Sequence, residues 1–173
     1  MELRQVRKLE DIRGMDRVNR RAWREAYAGI IPSELLERVD SEPEPRLLQR
    51  RFDEVMEWSG ETYVADTGDI VGYAAWRFGD DTQSFVSRSD AGLKEIYVDP
   101  SHWGEGIGTQ LLERVRSDLP EAAEGVSASM LAGNEVGRQF YETRGFTQVG
   151  EGTETVAGDD YGTIHYRLSL DTD

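Results

Sequence analysis

The sequence contains no cysteine, which excludes disulfide bonds, zinc sites built on thiolates and a cysteine nucleophile. It also lacks any apolar run that approaches the roughly 18–20 residues needed for a membrane-spanning helix. The N-terminal segment MELRQVRKLEDIRG has no apolar stretch of the kind found in secretory signals. We therefore expect a cytoplasmic protein that has no membrane partner.

Positive charge is scarce as well. The chain has 34 acidic against 20 basic residues and a net charge of −14, and Lys8 and Lys94 are its only lysines. Such a field repels the phosphates of nucleic acids, so no nucleic-acid partner is expected. An acidic, lysine-poor surface is typical of halophilic proteins. A GC-rich genome, in which arginine codons dominate, is the alternative, but it does not require the excess of acids.

The periodicity of apolar residues predicts one α+β domain spanning residues 1–173, with a mixed sheet of six to seven strands flanked by helices. A Gly68-Asp69 turn joins two of the strands, and residues 79–90 read as a polar loop. Helix 44–58 carries Leu47, Leu48, Phe52, Val55 and Met56 in helical register. The predicted strands are 2–7, 61–66, 70–78, 92–98, 125–132, 146–150 and 161–169, and the predicted helices are 9–28, 33–40, 44–58, 106–118 and 134–144.

The segment VDPSHWGEGIGT at residues 98–109 is the densest functional signal. A strand ends, the chain turns on three glycines and a helix begins. Glycines leave backbone N–H groups uncovered, and a helix start adds unpaired N–H donors with about half a positive charge, so the segment predicts a phosphate cradle. The lysine of a P-loop is missing, and GxGxG differs from the dinucleotide fingerprint GxGxxG. By itself, an ordinary tight connection between strand and helix is the alternative.

A second cluster, NEVGRQFYETRGF at residues 134–146, follows at a characteristic distance. Together the two clusters resemble the GNAT superfamily of N-acetyltransferases. The first is similar to the family's acyl-CoA pyrophosphate loop, usually [R/Q]xxGxG, and the second to its Nxx[A/G]xxFYxxxGF helix. Residues 23–32, WREAYAGIIP, resemble a segment common in bacterial and archaeal members. The resemblance implies a mostly antiparallel central sheet, with the fourth and fifth strands splayed around acyl-CoA.

The resemblance further implies transfer of an acetyl group from the co-substrate acetyl-CoA to a primary amine, without an acyl-enzyme. The acceptor class stays open between small molecules and peptides, and a homodimer is compatible with the family. A non-catalytic acyl-CoA-binding or regulatory module on the same fold is the alternative.

Two residues are the catalytic candidates. Tyr141 matches the family's general acid, and a phenol with a pKa of about 10 can protonate a thiolate; aromatic packing beside Phe140 is the structural alternative. Glu95 is the candidate base, because many family members carry a glutamate on this strand. If Leu93 and Tyr97 share its face, it has apolar strand neighbours; a solvated residue or an ion pair with an arginine is the alternative.

The remaining candidate residues bind the co-substrate. The resemblance implies main-chain contacts from Ile96 and Tyr97 to the pantetheine arm, with the N–H of Val98 polarising the thioester carbonyl. Asn134 should cap its helix, and the resemblance further implies that it binds the same arm, beside Tyr141. The implied phosphate loop consists of Trp103, Gly104, Glu105, Gly106, Ile107, Gly108 and Thr109.

The sequence departs from the family pattern at two positions. Trp103 replaces the usual Arg or Gln of the phosphate loop, and Ser129 stands where ribosomal-protein N-terminal acetyltransferases often have a glutamate base. His102 and His165 are far apart in sequence without carboxylates at ligand spacing, so no metal site is expected. Three aromatic residues, Trp23, Tyr27 and Trp76, are candidates either for an acceptor pocket or for the core.

Overall fold

The computed structural model describes residues 1–170, which form one seven-stranded sheet and five α-helices. The strands are β1 (Glu2–Gln5), β2 (Thr62–Asp66), β3 (Ile70–Arg77), β4 (Asp90–Val98), β5 (Gly125–Leu131), β6 (Thr147–Val156) and β7 (Asp159–Ser169). The helices are α1 (Leu9–Ala26), α2 (Ser33–Val39), α3 (Pro45–Glu57), α4 (Ile107–Asp118) and α5 (Glu135–Thr143). The strand order is β1-β2-β3-β4-β5-β7-β6, and only the β4–β5 pair is parallel. The predicted α+β class and mostly antiparallel sheet are confirmed.

Helices cover both faces of this sheet. On one face, α1 buries Ile12, Met15 and Val18 against β2 and β3, together with Leu48 of α3. On the other face, α4 and α5 pack onto the central strands, and the four apolar residues of α4 are all buried: Ile107, Leu111, Leu112 and Val115. The central strands are therefore covered by helices on both faces.

The apolar stripe of α3 is narrower than predicted. Leu48 is buried and Phe52 and Val55 are partly buried against the same core, whereas Leu47 and Met56 are exposed. Each exposed residue is displaced by about 100° around the helix from its buried neighbour in sequence. Helical register alone therefore overestimated the width of the buried face.

The start of β4 was missed because its first residue is charged. Asp90 belongs to the strand and not to the predicted loop, which contains a short 3₁₀ turn at Gly79–Asp81. The Asp90 carboxylate accepts hydrogen bonds from Arg167 at 2.7 and 2.8 Å and from Ser127 at 3.1 Å. A buried acid is tolerated in a strand when it is paired in this way.

The closing hairpin is longer than predicted. β6 continues to Val156 and β7 begins at Asp159, with Ala157 (φ 51°) and Gly158 (φ 89°) forming the turn. The added residues of β6 are mostly exposed, so they do not show the apolar alternation by which a strand is recognised.

The β4 strand carries a bulge that reverses the alternation of its side chains. Ala75 pairs with Glu95 but Trp76 pairs with Leu93, so Lys94 is the extra residue. Leu93 packs with the α4 side of the sheet, whereas Tyr97 packs on the α1 side, which Glu95 also faces. The expectation that Leu93 and Tyr97 share the face of Glu95 therefore holds only for Tyr97.

β4 and β5 diverge after a short ladder. They pair only from Asp90↔Gly125 through Ala91↔Val126 to Gly92↔Ser127. Beyond this point the two strands splay apart, as the family resemblance implied. No helix of residues 1–170 has the length and apolar character needed to cross a bilayer.

Candidate active site

A cavity of about 620 Å³ opens where β4 and β5 separate. Helices α1, α4 and α5 complete its walls. Eleven of the predicted site residues line it: Glu95, Ile96, Tyr97, Val98, Trp103, Gly104, Gly106, Ile107, Gly108, Asn134 and Tyr141. Both sequence clusters therefore meet at one place, although residues 98–109 and 134–146 are separate in the chain.

The end of β4 presents a backbone donor to this cavity. The N–H of Asp99 bonds to the carbonyl oxygen of Val71 at 2.8 Å, so it faces β3. Backbone groups alternate between the two edges of a strand, and the N–H groups of Val98 and Ile96 therefore point into the gap toward β5. Tyr97 turns its backbone toward β3 instead. Tyr97 nevertheless lines the cavity, and the main-chain contact expected of it stays a prediction.

The glycine turn has the geometry of a cradle. Gly104 and Gly106 have φ values of 82° and 80°, a conformation that side chains disfavour, and an added Cβ at either would meet no atom within 4 Å. At Gly108, an added Cβ would lie only 2.8 Å from the Phe140 ring. The turn leads directly into α4, whose first N–H groups have no intrahelical partner. This arrangement provides several backbone donors for a phosphate.

Two predicted loop residues lie outside the cavity lining. Glu105 is exposed and bonds to His102, with 3.0 Å between Oε2 and Nδ1. The hydroxyl of Thr109 accepts hydrogen bonds from Arg144, at 3.1 Å from Nε and 2.5 Å from Nη2. Arg144 itself lines the cavity and was not singled out by the sequence analysis, although it lies inside the second motif. Its spacing could have identified it, because residues three apart in a helix share a face and Arg144 follows Tyr141 by three.

Asn134 caps α5, as predicted. Its Oδ1 accepts a hydrogen bond from the N–H of Gly137 at 3.0 Å. The side-chain amide nitrogen has no hydrogen-bond partner among residues 1–170 and belongs to a residue that lines the cavity. Asn134 can therefore cap the helix with its oxygen and donate to a ligand with its nitrogen.

Tyr141 is 7% exposed and packs in an aromatic cluster. Its ring stacks on Tyr166 with centroids 5.5 Å apart and meets Phe146 edge-on at 5.1 Å. Its hydroxyl makes no hydrogen bond within the described part of the chain. Burial, together with the neighbouring Tyr27 and Tyr166, raises the pKa of Tyr141 above the ordinary value for a phenol. The group is therefore a neutral proton donor at the cavity wall.

Glu95 also lines the cavity, in a network with side chains from two other elements. Its carboxylate accepts hydrogen bonds from Arg51 of α3 at 3.1 and 3.2 Å, and from the hydroxyl of Tyr73 at 3.3 Å. The side chain is 26% exposed. The ion pair that the sequence left as an alternative is thus present, and the carboxylate nevertheless borders the cavity.

The three candidate aromatic residues have different positions. Tyr27 lines the cavity. Trp23 contacts two residues of the cavity lining. It packs edge-on against Tyr27, with ring centroids 4.9 Å apart, and donates its Nε1–H to the Tyr97 hydroxyl at 3.2 Å. Trp76 is 5% exposed in the core on the α4 side. Ser129 also lines the cavity, where it offers a hydroxyl but no basic carboxylate.

The two histidines are separate. His102 lies in the loop beside Glu105, and His165 stacks on Phe85 with centroids 4.1 Å apart. Within residues 1–170, no group of three or more His, Asp or Glu side chains is placed to hold a metal ion.

Comparison with known proteins gives a consistent result. The family model of the acetyltransferase (GNAT) domain matches residues 58–148. No curated protein matches the chain. PaiA N-acetyltransferase from Thermoplasma acidophilum, in complex with coenzyme A, is 21% identical with a TM-score of 0.67 and 98% of each chain covered.

Two further solved structures share the fold at similar identity. YncA from Salmonella typhimurium, with its cofactor acetyl-CoA, is 18% identical with a TM-score of 0.69, covering 99% of this chain and 95% of that chain. The ribosomal-protein-S18-alanine N-acetyltransferase from Escherichia coli is 17% identical with a TM-score of 0.66, covering 99% of this chain and 95% of that chain. At these identities the structural likeness concerns the fold.

Proposed function

Because the chain belongs to the acetyltransferase (GNAT) family, we propose that it moves an acetyl group from acetyl-CoA to a primary amine of a small-molecule or peptide acceptor. The transfer takes place by direct attack in a ternary complex. The observation that carries this proposal is that Val98, the glycine turn and Tyr141 all line the same cavity. Acetyl-CoA supplies the activated acetyl group as a thioester.

The residues of the cavity fit such a co-substrate. The unpaired N–H groups of Ile96 and Val98 can bind an extended pantetheine arm as a strand would. The free amide nitrogen of Asn134 is a further donor to that arm. The turn from Gly104 to Gly108 provides backbone N–H groups and a helix N-terminus for the diphosphate.

The chemistry requires two proton transfers and one charge to be stabilised. The amine nitrogen bonds to the carbonyl carbon, the carbon–sulfur bond breaks, and the amine proton is removed. The Val98 N–H donates to the carbonyl oxygen, where negative charge develops. Tyr141, kept neutral by its raised pKa, gives its proton to the departing sulfur.

Glu95 is our proposed acceptor of the amine proton, directly or through one water molecule. Arg51 and Tyr73 fix the orientation of its carboxylate, and part of the group borders the cavity. A base oriented by a second residue is the usual arrangement in such sites.

The test is an amine panel assayed for release of free thiol from acetyl-CoA. The panel contains polyamines, aminoglycoside-type amines, amino acids and peptides with free N-termini. We expect release that depends on at least one amine and that is strongly reduced in Tyr141→Phe. Tight binding of acetyl-CoA without release for any amine would favour the non-catalytic acyl-CoA-binding module. Absence of binding would refute both.

A further inference from the structure

Arg144 connects the end of α5 to the beginning of α4. Its guanidinium donates twice to the Thr109 hydroxyl, and Nη1 donates to the Phe140 carbonyl oxygen at 3.0 Å. The guanidinium carbon lies 3.9 Å from the centroid of the Phe140 ring. That same ring is the one that Gly108 approaches most closely. Arg144 therefore lies beside the glycine cradle.

This arginine has no acidic partner, although the chain has 34 acidic residues. No carboxylate of residues 1–170 lies within 4.0 Å of its guanidinium, and its four hydrogen bonds go to hydroxyl and carbonyl oxygens. Burial, unopposed by any anion, lowers the pKa of Arg144. A partly buried cation without a counter-charge is a costly arrangement that an incoming anion would relieve.

The phosphate loop itself offers no cation. Trp103 stands at the family's Arg or Gln position, and its indole N–H is already bonded to the Val98 carbonyl at 2.8 Å. The other permanently charged cation in the cavity lining is Lys94. It is adjacent to Glu95 in sequence and stacks on Trp58, with Nζ 3.5 Å from the ring centroid. Arg144 is thus the cation that lies beside the glycine turn, where a phosphate would bind.

We propose that Arg144 binds a phosphate group of acyl-CoA and so provides the positive charge that the loop lacks at Trp103. This inference rests on the proposed function. The guanidinium has five N–H donors and makes four hydrogen bonds, so at least one donor is free. The bonds to Thr109 hold its plane in place, and a charged donor of this kind suits phosphate.

Two phosphate groups have the required chemistry, namely the diphosphate and the 3′-phosphate of the adenosine. They can be distinguished by titrating the protein with coenzyme A and with 3′-dephospho-coenzyme A in a calorimeter. If Arg144 binds the 3′-phosphate, its replacement weakens only coenzyme A. If it binds the diphosphate, both ligands are weakened equally.

The variants are Arg144→Gln, Arg144→Lys and, as matched control, Arg116→Gln. Arg116 is an exposed arginine in the last turn of α4, so its replacement changes the net charge by the same amount. Loss of a hydrogen bond to a charged group should weaken coenzyme A roughly ten- to a hundredfold in Arg144→Gln. Arg144→Lys should lose less, and Arg116→Gln should bind within about twofold of the unsubstituted protein.

A merely structural role predicts a different pattern. Arg144 sits at the C-terminus of α5, where a cation stabilises a helix, so its loss could lower the melting temperature of the ligand-free protein without changing affinity. Unchanged affinity of Arg144→Gln for both ligands, with the unsubstituted protein binding normally, would overturn the inference and leave the proposed function standing. If the unsubstituted protein does not bind coenzyme A, both are wrong.

Discussion

Gly106 allows backbone conformation and ligand binding to be separated in one experiment. Its φ is 80°, and an added Cβ meets no protein atom within 4 Å, so Gly106→Ala creates no clash in the ligand-free protein. The expected cost is the strain of a left-handed alanine, about 1–2 kcal/mol. For a chain of this size that strain lowers the melting temperature by roughly 2–8 °C. The added methyl group, however, enters the space in which phosphate oxygens would approach the backbone.

The matched control is Gly79→Ala. Gly79 has φ 74° and equally open surroundings, but it lies at the far end of β3 from the cavity, so it carries the strain alone. At a ligand concentration of about 100 times Kd, binding adds about 2.7 kcal/mol. That corresponds to a rise in melting temperature on the order of 5–10 °C.

The assay is thermal unfolding with and without acetyl-CoA, using ATP and NAD as ligand controls. We expect the acetyl-CoA rise in the unsubstituted protein and in Gly79→Ala, and little or none in Gly106→Ala. ATP and NAD should give no rise. Equal rises in the two variants would show that the glycine turn does not contact the ligand, and an equal rise with ATP would contradict the assignment of the cavity to acyl-CoA.

Three further predictions concern charge and catalysis. Because the net charge is −14 and the screening length falls from about 30 Å at 0.01 M to about 3 Å at 1 M salt, the melting temperature should rise with KCl; a flat profile would refute salt adaptation. Tyr141→Phe keeps the ring, so kcat should fall by roughly 10²–10⁴ with unchanged acetyl-CoA affinity. Since the pKa of Tyr141 is raised, ionisation of the phenol should not reduce the wild-type rate at any pH up to about 10. If the rate already falls within that range, and falls in the same way in Tyr141→Phe, the titrating group is a different one. Glu95→Gln should lose most activity at neutral pH and recover as the pH approaches the pKa of the amine; a wild-type rate at pH 7 would place the base elsewhere.

The parts of the site that could be predicted from sequence are local. Gly104, Gly106 and the start of α4 lie within a few residues of one another, so their spacing alone specifies a turn with free N–H groups. Asn134 likewise caps its helix through a contact with Gly137, three residues away. Features of this kind depend on backbone geometry over one turn, which the sequence states directly.

The parts that could not be predicted depend on distant contacts. The strand start at Asp90 requires Arg167, which is 77 residues away, and the environment of Glu95 requires Arg51, which is 44 residues away. Neither Lys94 nor its immediate neighbours Leu93 and Glu95 is a glycine or proline, so the local sequence gives no sign of the bulge. Each of these is decided by tertiary packing, which overrides the local pattern.

The short ladder between β4 and β5 has a mechanical consequence. Strands β1–β4 form one half of the sheet, or plate, and β5, β7 and β6 form the other. Three residue pairs between β4 and β5 form the seam between the plates. Arg167 and Ser127 of the second plate also donate hydrogen bonds to the Asp90 carboxylate of the first. Beyond the seam the two strands are no longer paired, and contact between the plates passes through side chains of the shared core. A molecule extended along the gap would therefore take the place of a missing strand between them. The Val98 N–H belongs to the first plate, whereas Tyr141 of α5 stacks on Tyr166 of the second. The separation of these two groups should therefore depend on how the plates are held together. Asp90, which lies outside the cavity lining, would thereby help to maintain the alignment that the proposed transfer requires.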